Sequence, residues 1–516
     1  MKPEDFPKNI KPYIIPEVQG KMIYRCLDCN MEFGIHKLLY TCPDCGQVLL
    51  IYDKNFKRLK TINGKTWQKI FDYRKMLNIP SLRGIYRYHE FIGPVIPLDD
   101  VLYLGEGHTP VVKANKFLQE KTGIEFYFKN DGQNPSASFK DRGMASAFSY
   151  INFLVNKGFV SDVLAICAST GDTSAAAALY AGYMNPNVKS AVLLPHKKVT
   201  SQQLSQPLGS GARVFEIPGV FDDCMKVVEL LSEKYNVALL NSKNAWRILG
   251  QETFSYEIAQ DFEYDLKNKV VVLPIGNAGN ITAVMSGFLK FFETGIINAL
   301  PKILGVQSVH ANPVCKYYLE PDTQKRKFVP ITVKPSVAQA AMIGNPVSMP
   351  RVIRLVDIYN QVAGKQSVYF VEVTEQAIMD WELLANKNGH IACTQGGESL
   401  AGLVEAIKKG IITTDDCAVI DSTAHVLKFA NFQQMYFERS FPAEFKINPA
   451  SEHINSPVLI HPKDVKEVPS FGKPLTGDDF DRFARSVSEE IASILDLKKL
   501  ALANNIKESS SKGEKR

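Results

Sequence analysis

Charge of one sign is scarce in this chain: across 516 residues, 60 Lys plus Arg against 54 Asp plus Glu leave a formal charge of +6. Spread over that length, the excess is too dilute to argue for nucleic acid or a membrane surface as a partner. Long apolar runs are missing as well. None approaches the about 18 residues that a membrane span needs, and the opening stretch MKPEDFPKNIKPYIIPE lacks the apolar core of a secretory signal. Cysteine is sparse and odd in number, nine in all, which excludes a secreted disulfide scaffold. These absences leave a cytoplasmic protein whose default partners are small molecules. With 45% hydrophobic and 22% charged residues the composition is that of a folded globular chain, and its length suggests about three domains, or two large lobes with appendages.

Four of the cysteines cluster, in YRCLDCNMEFGIHKLLYTCPDCGQVLLIYD. Cys26 with Cys29 and Cys42 with Cys45 form two Cys-x-x-Cys pairs on turn-prone stretches, the pattern of two knuckles that close a tetrahedral four-sulfur shell around a structural zinc ion. The gap between the pairs is a little shorter than the commonest spacing, and a ribbon that kept its thiols but lost its ion is the alternative. His36, inside the loop, reads as a surface residue because four thiols already satisfy an ion. Residues 1–55 are thus a zinc-ribbon-like segment, and 56–100, with prolines at 80, 94 and 97 and no clean long period, read as an embellished linker. From LYLGEGHTP onward, aliphatic runs alternate with Ala-rich segments of helical length, so 101–440 is an α/β domain with a parallel sheet. Residues 441–516 form a C-terminal extension: 475–505 has amphipathic helical character with an acidic start, and KESSSKGEKR reads as a disordered tail.

Three sites carry chemistry. In VLAICASTGDTSAAAALYAGY an apolar strand meets a turn of small polar residues and then a helix, whose free N–H groups and positive dipole end suit an anion. In VVVLPIGNAGNITAVMSGFLKFF the turn Gly276 to Asn280 again links strand to helix, and glycines at 276 and 279 allow close approach of a phosphate. Neither turn is a Walker or a Rossmann sequence, which argues against a nucleotide; each alone is equally compatible with ordinary turn chemistry. Their separation along the chain suggests two similar lobes with a binding cleft between them. The third site is KNDGQNPSASFKDRG, where Lys140 opens a helix. The dipole end and partial burial lower its pKa and free its amine to attack a carbonyl. An isolated Lys-Asp pair is ordinarily a surface ion pair, but an amine together with an anion cradle suits an aldehyde cofactor bearing a phosphate, pyridoxal phosphate.

SASFKDRG, STGDTSAA, GNAGN and DSTAHVLKF, in this order over residues 100 to 435, together resemble the threonine synthases, fold-type II pyridoxal-phosphate enzymes similar to the tryptophan synthase β chain. The resemblance implies two α/β lobes around a cofactor cleft, a homodimer, and conversion of O-phospho-L-homoserine and water into L-threonine and phosphate. By the same resemblance Lys140 would bind the cofactor covalently and shuttle protons, with Phe139 packing beside the ring. Gly276, Asn277, Ala278, Gly279 and Asn280 would cup the cofactor phosphate, and Thr423 would hydrogen-bond the pyridine nitrogen. Ser169, Thr170 and Thr173 would bind polar groups of the substrate. Asn241, Ser242 and Arg247, in NSKNAWRILGQ, would take its phosphate, although Arg247 also reads as a helix-surface cation. Asp172 departs from the Asn that many relatives carry against the 3′-oxygen, and a carboxylate there would repel a phenolate unless a proton is shared. Val426 stands where a glycine is common; His425 reads as a core residue and His108 as a shaper of its loop. A related enzyme using phosphoserine or another phosphorylated amino acid, as in cysteate synthase, is the alternative reading. A second is a binding module that has lost catalysis, against which Lys140 and the near-neutral charge speak.

Overall fold

The computed structural model describes residues 1–498 apart from 170, 197–200, 220, 464, 466, 467 and 471. The chain divides into two compact units, 1–453 and 454–516. Among the described residues no helix is long and apolar enough to cross a membrane.

The first unit opens with an antiparallel sheet of β1 (Met22–Cys26), β2 (Glu32–Gly34) and β3 (Leu49–Asp53), in the order β2-β1-β3. The chain then enters a large sheet through β4 (Val111–Lys113) and β5 (Glu125–Asn130). It leaves to build a parallel four-stranded sheet from β6 (Val163–Ala168), β7 (Val188–Pro195), β8 (Arg213–Ile217) and β9 (Val237–Leu239). It returns with β10 (Lys269–Pro274), β11 (Lys302–Ser308), β12 (Val368–Val373) and β13 (Cys417–Ser422). The large sheet has the order β12-β11-β10-β13-β5-β4 and is parallel except for β4 at its edge. The two lobes are therefore unequal, and the smaller is an insertion in the larger. Strands β10 and β13 are buried almost throughout and apolar in their middles, as strands covered by helices on both faces must be, with the polar Asp421 and Ser422 at the carboxyl end of β13.

The loops singled out above all follow the carboxyl ends of parallel strands: Lys140 after β5, Ser169 after β6, Asn241 after β9, Gly276 after β10 and Thr423 in direct continuation of β13. That end of an open α/β sheet is where ligands bind, because helix N-termini converge on it.

Residues 56–100, expected as a linker, are core. The helix Gly64–Arg74 buries Trp67, Ile70, Phe71 and Arg74, one face at helical spacing. Phe71 stacks on Phe291 at 5.8 Å, and Tyr256 on the same ring at 4.2 Å. Arg74 donates to both oxygens of buried Glu90, at 2.7 and 2.5 Å. The period is present in the sequence but lasts barely three turns, too short to stand out among the charged residues around it.

The second unit contains the helix Gly477–Ile494, with Asp478 and Asp479 in its first turn as the acidic start predicted. Within the unit Lys463 Nζ lies 3.3 Å from Glu490, and Ser486 donates to the Lys463 carbonyl at 2.8 Å. The tail KESSSKGEKR lies outside the described residues.

Candidate active site

The loop before Lys140 is pinned by the segment after β13. Phe139 N–H donates to the Thr423 carbonyl at 2.8 Å and His425 N–H to that of Ala137 at 3.0 Å. Ala137 sits at φ 63°, a left-handed conformation that costs an alanine energy and persists only where neighbouring contacts impose it. Lys140 begins the helix Lys140–Asn156, half-buried, with Nζ 4.1 Å from the centroid of the Phe139 ring. Burial first, then the Arg247 cation, push its pKa down to about 8, against the opposing pull of Asp172 and Asp421. Asp141 does not pair with it: Oδ2 accepts from the Ser136 N–H and hydroxyl at 2.9 and 2.8 Å, and burial pushes its carboxyl up to about 7. Arg142 turns inward and grips Asp131 and Glu257 at 2.7 and 2.6 Å, fixing the helix start. The loop-shaping role read for His108 fits its geometry: its N–H donates to Glu257 at 2.8 Å, and burial holds its imidazole well below the usual range.

Across the cleft, Asp172 opens the helix Asp172–Tyr183 and is buried. Lys428, in the DSTAHVLKF stretch, sets its ammonium 3.1 Å from Asp172 Oδ1 and donates to Gln206 Oε1 and the Ser136 carbonyl at 2.7 and 2.9 Å. The carboxylate that departs from the family pattern therefore has a cation of its own, which the sequence reading missed. Ser169 and Thr173 are half-buried on the same rim, whereas Thr170 lies outside the described residues.

Asn241, expected to bind substrate, is occupied: its amide donates to the Ala168 carbonyl at 2.6 Å and accepts from the Ala168 N–H at 3.0 Å. It holds the end of β6 in place. The Ser242 carbonyl accepts from Arg351 at 3.0 Å. Arg247 is not the surface cation that its helix would allow. It is buried, bonded through Nη1 to the Leu240 carbonyl at 2.8 Å, and its Nε has no partner among the described residues. Burial pushes its pKa down to about 10, and no carboxylate pairs with it among the described residues.

In the Gly276–Asn280 turn, Ala278 caps the helix Gly279–Glu293 at φ 61°, again left-handed. Gly276 is favoured by a tight contact, since a Cβ there would stand 3.0 Å from Ala341 Cα, while Gly279 has ordinary room. Both Asn side chains face protein: Asn277 Oδ1 accepts from Val347 N–H at 3.4 Å and Asn280 donates to Asp421 at 2.8 Å. What the turn offers an anion is its backbone N–H groups. Thr423 is buried with Oγ1 3.6 Å from the Cys393 sulfur, a neighbour that the sequence showed only as a scattered cysteine. Burial holds that thiol protonated, its pKa pushed up to about 12. His425, read as a core residue, is half-exposed and caps the turn at Val426, its Nδ1 accepting from Leu427 N–H at 3.2 Å.

These residues fit pyridoxal phosphate. Lys140 carries an amine of lowered pKa, the Gly276–Asn280 turn opens a helix N-terminus through a left-handed residue, a neutral hydroxyl stands at Thr423, and Asn280 Oδ1 and Arg247 Nε are buried without partners among the described residues. Away from the cleft, the Sγ atoms of Cys26, Cys29, Cys42 and Cys45 lie within 4.8 Å of one another and could hold a metal ion. Cys26–Cys45 and Cys29–Cys42 are 3.4 and 3.6 Å apart, close to the about 3.8 Å between sulfurs set about 2.3 Å from one tetrahedral ion. His36 is exposed and stacks on Phe159 at 4.3 Å, outside that shell.

Residues 102–422 match the pyridoxal-phosphate dependent enzyme family. A threonine synthase of Methanocaldococcus jannaschii is 35% identical over 409 residues, covering 79% of this chain and 93% of that protein. Threonine synthase 2, chloroplastic, of Arabidopsis thaliana is 33% identical over 413 residues, covering 79% and 77%. Among solved structures, threonine synthase from Escherichia coli superposes with a TM-score of 0.60 at 19% identity, over 80% of this chain and 90% of that one. The yeast enzyme gives 0.57 at 17%, over 82% and 93%, and these two show the shared fold. With sequence, sheet order and cleft in agreement, the chain belongs to the pyridoxal-phosphate dependent enzymes of fold type II, in the branch of the threonine synthases.

Proposed function

We propose that this protein is a carbon–oxygen lyase acting on a phosphate ester, converting O-phospho-L-homoserine and water into L-threonine and phosphate. The relatives named above support the reaction, and one observation supports the substrate class: Arg247, a buried guanidinium beside the reactive lysine, has no counter-ion among the described residues. A buried cation without a partner is costly unless an anion arrives to meet it, and a planar fork binds phosphate through two parallel hydrogen bonds.

The cofactor, when bound, supplies an aldehyde for the lysine amine and a ring that withdraws electrons from the substrate's α-carbon. The protein supplies the rest. Lys140 Nζ accepts and returns protons at the substrate carbons, a task suited to an amine whose pKa is about 8. Arg247 holds the ester phosphate, and the carbon–oxygen bond at Cγ breaks with its electron pair leaving on that phosphate. Water then adds at Cβ. Backbone N–H groups of the Gly276–Asn280 turn would hold the cofactor phosphate, and the Thr423 hydroxyl would take the ring nitrogen. Lys428 balances the charge of Asp172, so this carboxylate would tolerate the cofactor's 3′-oxygen beside it. The four cysteines hold a structural zinc ion.

The test is turnover of O-phospho-L-homoserine against O-phospho-L-serine by the purified protein, with Arg247→Ala alongside. The proposal expects threonine and phosphate in equal amounts from the first substrate and a KM raised at least about tenfold in the variant. Preference for phosphoserine would transfer the assignment to the alternative enzyme.

A further inference from the structure

The cysteine module is tied to the active site by two independent straps. One is a directional run of hydrogen bonds. Trp246 Nε1 donates to the Tyr24 hydroxyl at 3.0 Å, and Tyr24 donates to the Tyr150 hydroxyl at 3.1 Å. The single Tyr150 proton is shared between the carbonyls of Ile35 and Lys37, which lie 2.7 and 2.8 Å from its oxygen. Tyr24 stands on β1 two residues before Cys26, while Ile35 and Lys37 lie in the loop between the two cysteine pairs. Trp246 directly precedes Arg247, and its ring stacks on Tyr150 at 4.1 Å and 14°. The other strap is Arg351, a buried cation whose hydrogen-bond partners among the described residues are all neutral oxygens. Nη2 donates to the carbonyls of Leu49 and Lys243 at 2.5 and 3.1 Å, and Nη1 to the Ser242 carbonyl and Ser348 hydroxyl, both at 3.0 Å. Leu49 is the residue paired with Cys26 across the β1–β3 ladder, and Ser348 N–H donates to the Asn277 carbonyl in the phosphate turn at 3.2 Å.

We propose that the four-cysteine module is a brace that positions Arg247, with Tyr24 and Arg351 as its two positioning residues. This inference rests on Arg247 being the substrate-phosphate ligand. Its helix, Ala245–Gln251, packs against the Lys140 helix at Gly250, a contact that sets the helix axis and leaves the direction of the Arg247 side chain to its other neighbours. Among the described residues Arg247 makes one hydrogen bond, so the angle of its guanidinium follows from what fixes Trp246 on one side and Ser242–Lys243 on the other. Both are fixed by strands or loops that the thiol cluster pins.

The experiment uses the full-length holoenzyme and reads KM and kcat for O-phospho-L-homoserine, bound metal, and cofactor absorbance. Tyr24→Phe, which removes only the relay hydroxyl, raises KM about five- to tenfold with kcat within about twofold and with metal and cofactor retained. Arg351→Met behaves alike. Chelation that strips the ion raises KM by a similar factor, and Tyr24→Phe then adds little, because both act through one path. A purely stabilising appendage would instead lower the melting temperature and active fraction and leave KM alone. If Arg247→Ala raises KM while Tyr24→Phe, Arg351→Met and chelation all leave it unchanged, the brace is refuted. If Arg247→Ala itself has no effect on KM, the substrate reading fails first.

Discussion

Lys140 gains its reactivity from its surroundings rather than from its type. Burial and the Arg247 cation set its pKa near about 8, so below that pH the ammonium form dominates and cannot attack an aldehyde. Cofactor capture by the apoprotein is therefore expected to accelerate as pH rises through about 8 and to level off above it; stopped-flow absorbance measures this, and a pH-independent rate would contradict it. Lys140→Ala is expected to abolish turnover and the borohydride-stable link to the cofactor while circular dichroism stays unchanged. The Asp172–Lys428 pair makes a separate prediction. Lys428→Met leaves a buried carboxylate unpaired and should weaken cofactor retention, and adding Asp172→Asn should restore much of it, with a coupling of about 1–3 kcal/mol in the double-mutant cycle. Independent, additive losses would show that the two side chains do not act together.

At the scale of elements, the site is assembled by strand ends that share one edge, and helices must approach closely to reach it. The Arg247 helix and the Lys140 helix meet at Gly250, where a Cβ would stand 2.1 Å from the Arg142 carbonyl oxygen. Gly250→Ala forces the two helices apart and is expected to destabilise the protein by about 1–3 kcal/mol, seen as a lower denaturation midpoint, with KM rising because Arg247 moves with its helix. The element that the sequence misjudged is informative in the same way. The stretch 56–100 reads as a linker in the sequence, but Phe71, Tyr88 and Phe91 close on Phe291 of the phosphate-turn helix, with Trp67 packed behind Phe71 and Phe91. Its partners lie some two hundred positions downstream, where no local period can announce them.

For the whole molecule, every residue assigned to the cofactor, the substrate or the metal lies within 1–453. A chain ending at His453 is therefore expected to fold, bind cofactor and turn over substrate with kcat and KM within about twofold of the full chain, there being no site group to lose. Absorbance of the bound cofactor and steady-state kinetics measure this, and loss of either would give the C-terminal unit a part in the site.

Legible along the chain was the local machinery: strand, polar turn and helix at Ser169 and Gly276, a lysine at a helix mouth, and two thiol pairs at knuckle spacing. These are short-range patterns, set by backbone geometry and by the reach of one turn. What emerges only on folding is that Asn241 braces Ala168, that Asp172 has Lys428 for its cation, that Cys393 stands beside Thr423, and that Arg247 is buried without a counter-ion among the described residues. Each depends on which side chains meet across strands distant in the chain, and on how much water is excluded where they meet. Neither quantity is written in any one stretch of residues.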